Sequence, residues 1–458
     1  MDSDDIKVLL SILLIWAMVI ATCVFAARQD KRAPADDIGI MWLVVLAMYG
    51  TLPPLSWLLQ GSTYGIFSFQ RLLYLQPTSD EIVQLMYIGT AYACGFAGVY
   101  LYLRRSVPKP LASGHALIKG PQITAALLFV LFYLTLTTAL RAGGYLREAE
   151  SYSDSYSADS ELPLALRQVL KIAGGFAAVA QMIVLVAILQ RWPRTRWFFI
   201  LYLSTFVLSY DPGGSRKAIA MGLLSAAIAW HILVRPIAAS RWIAAGALGF
   251  MTFTILGVLR GMGIWGGDGG GDIQAGDFEG LGLGELDALW ANAVHLLQEG
   301  KTKLDIPWAA RYGEFWAFIP SQMLPFDKLS LNDWYLDTFF PEYKEQGGGW
   351  EFGALTQAVI GGGVVEALLR GGIVAALSVG FMKWYRSPTA AWWRLPLYLY
   401  LLTLAFLSIR QTTFAPLSMI VQVALPALFL IELIATLINQ ATPPTRAADP
   451  KIPLTTSG

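Results

Sequence analysis

Residues 8–27 of this chain, Val8 to Ala27, carry no charged side chain. A helix made from such a run has no polar face to give to water, and its length matches the roughly 20 apolar residues that cross a bilayer's hydrocarbon. Inside lipid the backbone must satisfy its own hydrogen bonds, so a helix is the structure this run can form there. Comparable stretches recur at Ile38–Leu59, Val83–Leu103, Ile123–Leu140, Leu164–Leu189, Trp197–Tyr210, Ala218–Val234, Trp242–Leu259, Val359–Phe381, Leu395–Thr412 and Pro416–Ile438. The expectation is an all-α polytopic membrane protein of about 11 transmembrane helices. Composition agrees, with 55% apolar and only 14% charged residues. A soluble domain carries about 25% charged residues, so a soluble enzyme, a disordered chain and a coiled coil are excluded. Lys plus Arg (33) nearly cancels Asp plus Glu (32), so no global charge draws the chain to nucleic acid.

Charge bias sets the direction of threading, because Lys and Arg are poorly translocated. One set of connections holds Arg28, Lys31, Arg32, Arg104, Arg105, Lys109, Arg191, Arg194, Arg196, Arg235, Arg241, Lys383, Arg386 and Arg394. The alternate set is acidic or neutral, as in the stretch from Glu148 to Glu161. The amino terminus is therefore expected outside and the carboxyl tail inside, with the first segment an uncleaved anchor. The organisation expected is eight spans in 1–259, one large outward loop in 260–358, three spans in 359–438 and a disordered cytoplasmic tail in 439–458. Within the loop, Leu286, Leu289, Val294 and Leu297 mark the apolar face of a helix, and long loops of this kind usually carry function. His115, His231 and His295 are too far apart to suggest a metal site, and no cofactor is expected.

The informative residues are cations on the unfavoured side. Arg216 and Lys217 follow Gly213-Gly214-Ser215 in a tight outer turn, Arg260 ends the eighth span, Arg410 ends the tenth, and Arg370 lies inside the ninth. Ionised groups in spans normally face a cavity or a partner, and guanidinium groups suit phosphate bidentately. The amides of Gly214 and Ser215 precede a helix start, which favours anions. With Arg311 these residues make a candidate outer-leaflet pocket for a lipid-borne diphosphate. Glu314 and Asp287 are the leading carboxylates for accepting or orienting a sugar hydroxyl's proton.

Gly213-Gly-Ser-Arg-Lys-Ala-Ile-Ala220 resembles the Gly-Ser/Thr-Arg turn of Wzy-type polysaccharide polymerases, the O-antigen and enterobacterial common antigen repeat-unit polymerases. The run Phe315-Trp-Ala-Phe-Ile-Pro-Ser-Gln-Met-Leu-Pro-Phe-Asp-Lys328 is similar to that family's Ile-Pro…Leu-x-Pro-x-Lys/Arg signature, with Ser321-Gln322 where an Arg or Trp is usual. The glycines at 347–349, 353 and 361–363, and Arg260 and Arg410, also fall at matching places. The likeness covers about residues 130–420. It implies a GT-C-like, metal-independent glycosyltransferase of the bacterial inner membrane, with one large periplasmic loop. Such an enzyme polymerises undecaprenyl-diphosphate-linked oligosaccharides, alongside membrane lipid and a chain-length regulator. Two alternatives are an O-antigen ligase, which transfers finished chains to lipid A core, and a transporter of lipid-linked oligosaccharide.

Overall fold

A computed structural model describes residues 2–61, 64–67, 73–109, 116–145, 163–191, 216–261, 284–300, 305–319, 323–345, 352–387, 391–405, 409 and 412–441. The expected span at Trp197–Tyr210, the Gly-rich stretch at 266–272 and the tail after 441 lie outside these residues. Among the described residues the chain is mostly helical, and seven helices are long and apolar enough to cross a membrane. They are α1 (Ser3–Asp30), α2 (Ile38–Gln60), α3 (Ser79–Arg104), α4 (Gly120–Ala142), α5 (Leu164–Arg191), and two further helices near the carboxyl end. A short antiparallel hairpin, β1 (Ile66–Phe67) and β2 (Tyr74–Leu75), joins α2 to α3.

After α5 come α6 (Arg216–Leu233) and α7 (Ala239–Gly261), then a series of shorter helices: α8 (Gly284–Gln298), α9 (Trp308–Arg311), a 3-10 turn (Gly313–Trp316), α10 (Leu331–Phe339), α11 (Pro341–Glu345) and α12 (Ala354–Val359). The sixth long apolar helix, α13, runs Gly363–Arg386; α14 follows at Arg394–Leu404. The seventh is α15 (Ala415–Met419), a π turn (Ile420–Ala424) and α16 (Leu425–Ala441) in continuity. One expected boundary is corrected. The span placed at Val359–Phe381 begins at Gly363, because Gly363 takes φ +58° and separates α12 from α13. Of the span expected at Leu395–Thr412, α14 covers the part up to Leu404, and residues 406–408 and 410–411 lie outside the described residues.

Leu10, Leu13, Ile20 and Val24 of α1, Val365 and Leu369 of α13, and Phe429 and Leu437 of α16 all stand exposed on the outside of the bundle. Water would penalise so large an apolar surface, whereas lipid accepts it. The chain is a membrane protein. The inward faces pack closely. A Cβ at Gly95 of α3 would lie 2.0 Å from the Leu368 carbonyl, and one at Gly371 of α13 would lie 2.1 Å from that of Tyr92. Small residues let two backbones approach where lipid gives no hydrophobic drive between helices. Gly95 meets Leu368 and Val99 meets Gly372, so α3 and α13 run parallel.

One end of the bundle is tied by buried ions. Arg104 reaches Asp30 at 2.6 Å and Asp37 at 3.1 Å, while Arg386 reaches Asp30 at 2.8 Å and Asp36 at 3.4 Å. Arg32 completes the set on Asp36, and Tyr100 donates to Asp37. Three acids thus meet three arginines contributed by α1, the α1–α2 connection, α3 and α13. Buried charges of this kind are held only when paired and hydrogen-bonded. Asp37 also caps α2 through the Gly39 amide.

At the other end, α8 rests on α2, α12 and β1. Its expected apolar face is present, with Leu289 and Val294 buried. Tyr335 of α10, Phe352 and Leu296 make a second, smaller core beside it. The seat on α2 has a sequence cause. Pro53 lies inside α2 and has no N–H for the carbonyl of Tyr49, four residues back. Trp290 of α8 supplies the donor instead, its Nε1 lying 2.8 Å from that oxygen.

Candidate functional site

The first turns of α13 carry two charges that an apolar helix would not hold without partners. Glu366 and Arg370 stand one turn apart and pair at 2.7 Å. Arg370 is 7% exposed, and its Nη1 lies 2.5 Å from Oε1 of Glu314, a carboxylate 5% exposed on the 3-10 turn. The same Nη1 donates to the Thr413 hydroxyl at 2.7 Å, and the Thr413 amide donates to Glu314 Oε2 at 3.2 Å. Arg311, closing α9, pairs with Glu366 Oε2, which also accepts from the Gly362 amide at 2.7 Å. Glycine is needed here, since a Cβ at Gly361 would sit inside the Arg311–Glu366 contact. Three parts of the chain distant in sequence, 311–314, 361–370 and 413, therefore close on one network.

Two arginines balance two glutamates, so these side chains are neutral as a group. Water is largely excluded around Arg370 and Glu314, which strengthens each interaction relative to the surface. Some polar capacity is left over. Among the described residues, Arg311 Nη1, Trp316 Nε1 and both amide atoms of the fully buried Gln357 have no hydrogen-bond partner. Gln357 lies on α12, which packs between α8 and the start of α13. Lys328 donates to the carbonyls of Ala317 and Ile319, and Gln422 and Ser418 donate to Ala317 as well. These bonds fix the 315–328 run against the start of the last long helix.

Of the residues singled out in the sequence, Glu314, Arg311 and Arg370 are brought together in this network. Asp287 is on α8 and Arg260 in the last turn of α7, with side chains outside the described residues; Arg216 and Lys217 open α6, likewise by backbone alone. Gly214, Ser215 and Arg410 lie outside the described residues. Glu366 is a member that the sequence candidates lack, although its spacing of four from Arg370 signals a helical ion pair. Thr413 and Gln357 give no comparable signal. Both ends of the bundle thus carry buried arginines, but only this one joins them to the aromatic loop segment that resembles a known signature. Comparison with models of protein families, with curated proteins and with solved structures found nothing that matches this chain.

Proposed function

We propose that this protein is a glycosyltransferase of the bacterial inner membrane that polymerises undecaprenyl-diphosphate-linked oligosaccharide repeats on the periplasmic side. The observation that carries the reading is the buried Arg311–Glu366–Arg370–Glu314 network at one end of a membrane bundle, in which Glu314 directly precedes the run, 315–328, that resembles the polymerase signature.

Direction of threading supports it. The bundle end tied by Arg104 and Arg386 also carries Arg28, Lys31, Arg105 and Arg394, the mark of the cytoplasmic side. In this reading the Arg370 end and the amino terminus face the periplasm and the carboxyl tail faces the cytoplasm. Because α3 and α13 are parallel while α4 and α5 run up and back, an odd number of crossings separates α5 from α13. The eleven-span threading supplies three. His231, near the end of α6, lies against the 32–36 connection. Arg216, fifteen residues earlier, is then about 22 Å along the helix toward the Arg370 end. Arg260 ends a helix of span length that starts from the cytoplasmic side.

In the proposed reaction the terminal hydroxyl of one lipid-linked repeat attacks the anomeric carbon of a chain on a second lipid. The anomeric C–O bond breaks, undecaprenyl diphosphate leaves with the electron pair, and a base takes the hydroxyl proton. The result is a new glycosidic bond with inversion. The leaving group is already a stable anion, so catalysis rests on meeting its charge. Because Arg311 and Arg370 are balanced by Glu366 and Glu314, Arg216, Lys217, Arg260 and Arg410 are the cations assigned to the diphosphate, with the Gly214 and Ser215 amides beside them. Arg311 and Arg370 hold the frame. Glu314 is held in place by Arg370 and the Thr413 amide, and Glu314 or Asp287 would orient or deprotonate the acceptor hydroxyl.

The test uses purified protein with lipid-linked repeats as sole substrate. A ladder of products is expected, falling about 100-fold or more for Arg260→Ala and Arg410→Ala. No ladder until lipid A core is added would assign a ligase. Directional movement of lipid with no new glycosidic bond would assign a transporter.

A further inference from the structure

We infer that residues 308–319 and 323–326 form an interfacial lipid-binding surface, lying in the bilayer at headgroup level with the aromatic rings among the acyl chains. This does not depend on the reaction proposed above. The residues concerned are large, apolar and exposed on one run: Trp308 is 58% exposed, Tyr312 50%, Phe315 47% and Met323 73%. They are not loose, because Trp308, Trp316 and Phe326 stack edge-on at 5.2–5.8 Å and Phe315 lies 5.3 Å from Phe414. A rigid aromatic face open to its surroundings marks an interaction surface.

The occupant follows from continuity. Phe414 directly precedes α15, and the Ala317 carbonyl is held by Ser418 and Gln422 of the same helix. That helix exposes Val421, Leu425, Phe429 and Leu433 at intervals of four, one unbroken stripe along its outside. On an apolar helix of membrane length, such a stripe faces acyl chains. The aromatic face sits at the head of this stripe, where the bilayer reaches its polar boundary and rings with polar edges settle. Charge selects the lipid class. Arg311 is paired with Glu366, and the exposed members of the face, Trp308, Tyr312, Phe315 and Met323, carry no charge, so ordinary zwitterionic lipid suffices.

The experiment places a fluorescent label at Trp308→Cys, Phe315→Cys or Met323→Cys in full-length protein carrying Cys23→Ala and Cys94→Ala, in phosphatidylcholine nanodiscs with brominated chains. Phe429→Cys serves as the lipid-facing reference and Asp337→Cys as the water-facing one. Quenching within about twofold of the Phe429 label is expected at all three positions. Quenching no greater than at Asp337 would overturn the inference and give the platform to a water-borne partner, such as a glycan stacking on the rings. Photo-crosslinking of the unmodified protein with a diazirine phosphatidylcholine gives a second reading. Adducts are expected on the 308–326 peptide as well as on 421–437, and adducts on the latter alone would equally overturn it.

Discussion

Arg370 is fixed by two carboxylates and a hydroxyl in a place where water reaches only 7% of it. Removing one member of such a set leaves its partners charged and buried, which costs more than the pair contributes. Arg370→Met is therefore expected to lower stability by about 3–5 kcal/mol, measured by thermal unfolding in detergent. Glu314→Gln with Arg370→Gln is expected to cost less than the two changes summed, because the residues touch. His295 gives a second residue-scale outcome. Burial holds its pKa below the ordinary histidine value, against a weaker pull upward from Glu299, and a ring nitrogen lies 2.8 Å from the Tyr335 hydroxyl. The unfolded chain then takes the proton first as pH falls, so stability is complete above about pH 6.5 and declines below it. His295→Gln is expected to flatten that decline in melts between about pH 8 and pH 5. In the sequence, Glu314 and Arg311 stand out because they flank the signature-like run. The partners that decide their roles do not, since Thr413 and Gly361 come from other parts of the chain and only folding reveals the contact.

At the scale of elements, two contacts join helices through a missing atom. The first is the seat of Trp290 on the Tyr49 carbonyl, opened by Pro53. Trp290→Phe keeps the ring and loses the donor, leaving a buried carbonyl short of a partner at about 1–3 kcal/mol. Pro53→Ala restores a donor within α2 and is expected to recover much of that loss, read as a double-mutant cycle in thermal melts. The second is the glycine seam between α3 and α13. Gly371→Ala drives a methyl into the Tyr92 carbonyl and is expected to cost about 1–3 kcal/mol. Gly98 and Gly380 lie in the same two helices, where an added Cβ would meet no atom within 4 Å, so their change to Ala is expected to gain about 0.5–1 kcal/mol. Apolar length makes these helices readable from the sequence. Pro53 and the glycines are equally visible there, but nothing local says which helix fills a vacant hydrogen bond or which glycine is approached. The β1–β2 hairpin, two residues a side, is too short to announce itself.

For the whole molecule, the two buried charge networks lie at opposite ends of one helix. Arg370 and Arg386 are sixteen residues apart on α13, about 24 Å of helix. The basic end is legible as positive-inside bias, but the acids that bind it, Asp30, Asp36 and Asp37, are not, because a count of cations overlooks the carboxylates folded against them. Contacts at the two ends also give the relative directions of the helices. Glu432 of α16 meets Gln122 of α4 and Trp392 beside the end of α13, while Ser418 meets the segment next to Arg311. The last long helix therefore descends parallel to α13, and α1 descends to bring Asp30 to Arg104. In sealed vesicles of one orientation, with Cys23 and Cys94 changed to Ala, an impermeant thiol reagent is expected to label Ser3→Cys and Asp337→Cys from one side. Arg105→Cys and Ala441→Cys are expected to label only from the other. All four positions are exposed, so access depends on side alone. Labelling of Ser3 and Arg105 from the same face would break the parallel arrangement of α1 and α3, and with it the placement of the Arg370 network opposite the basic end.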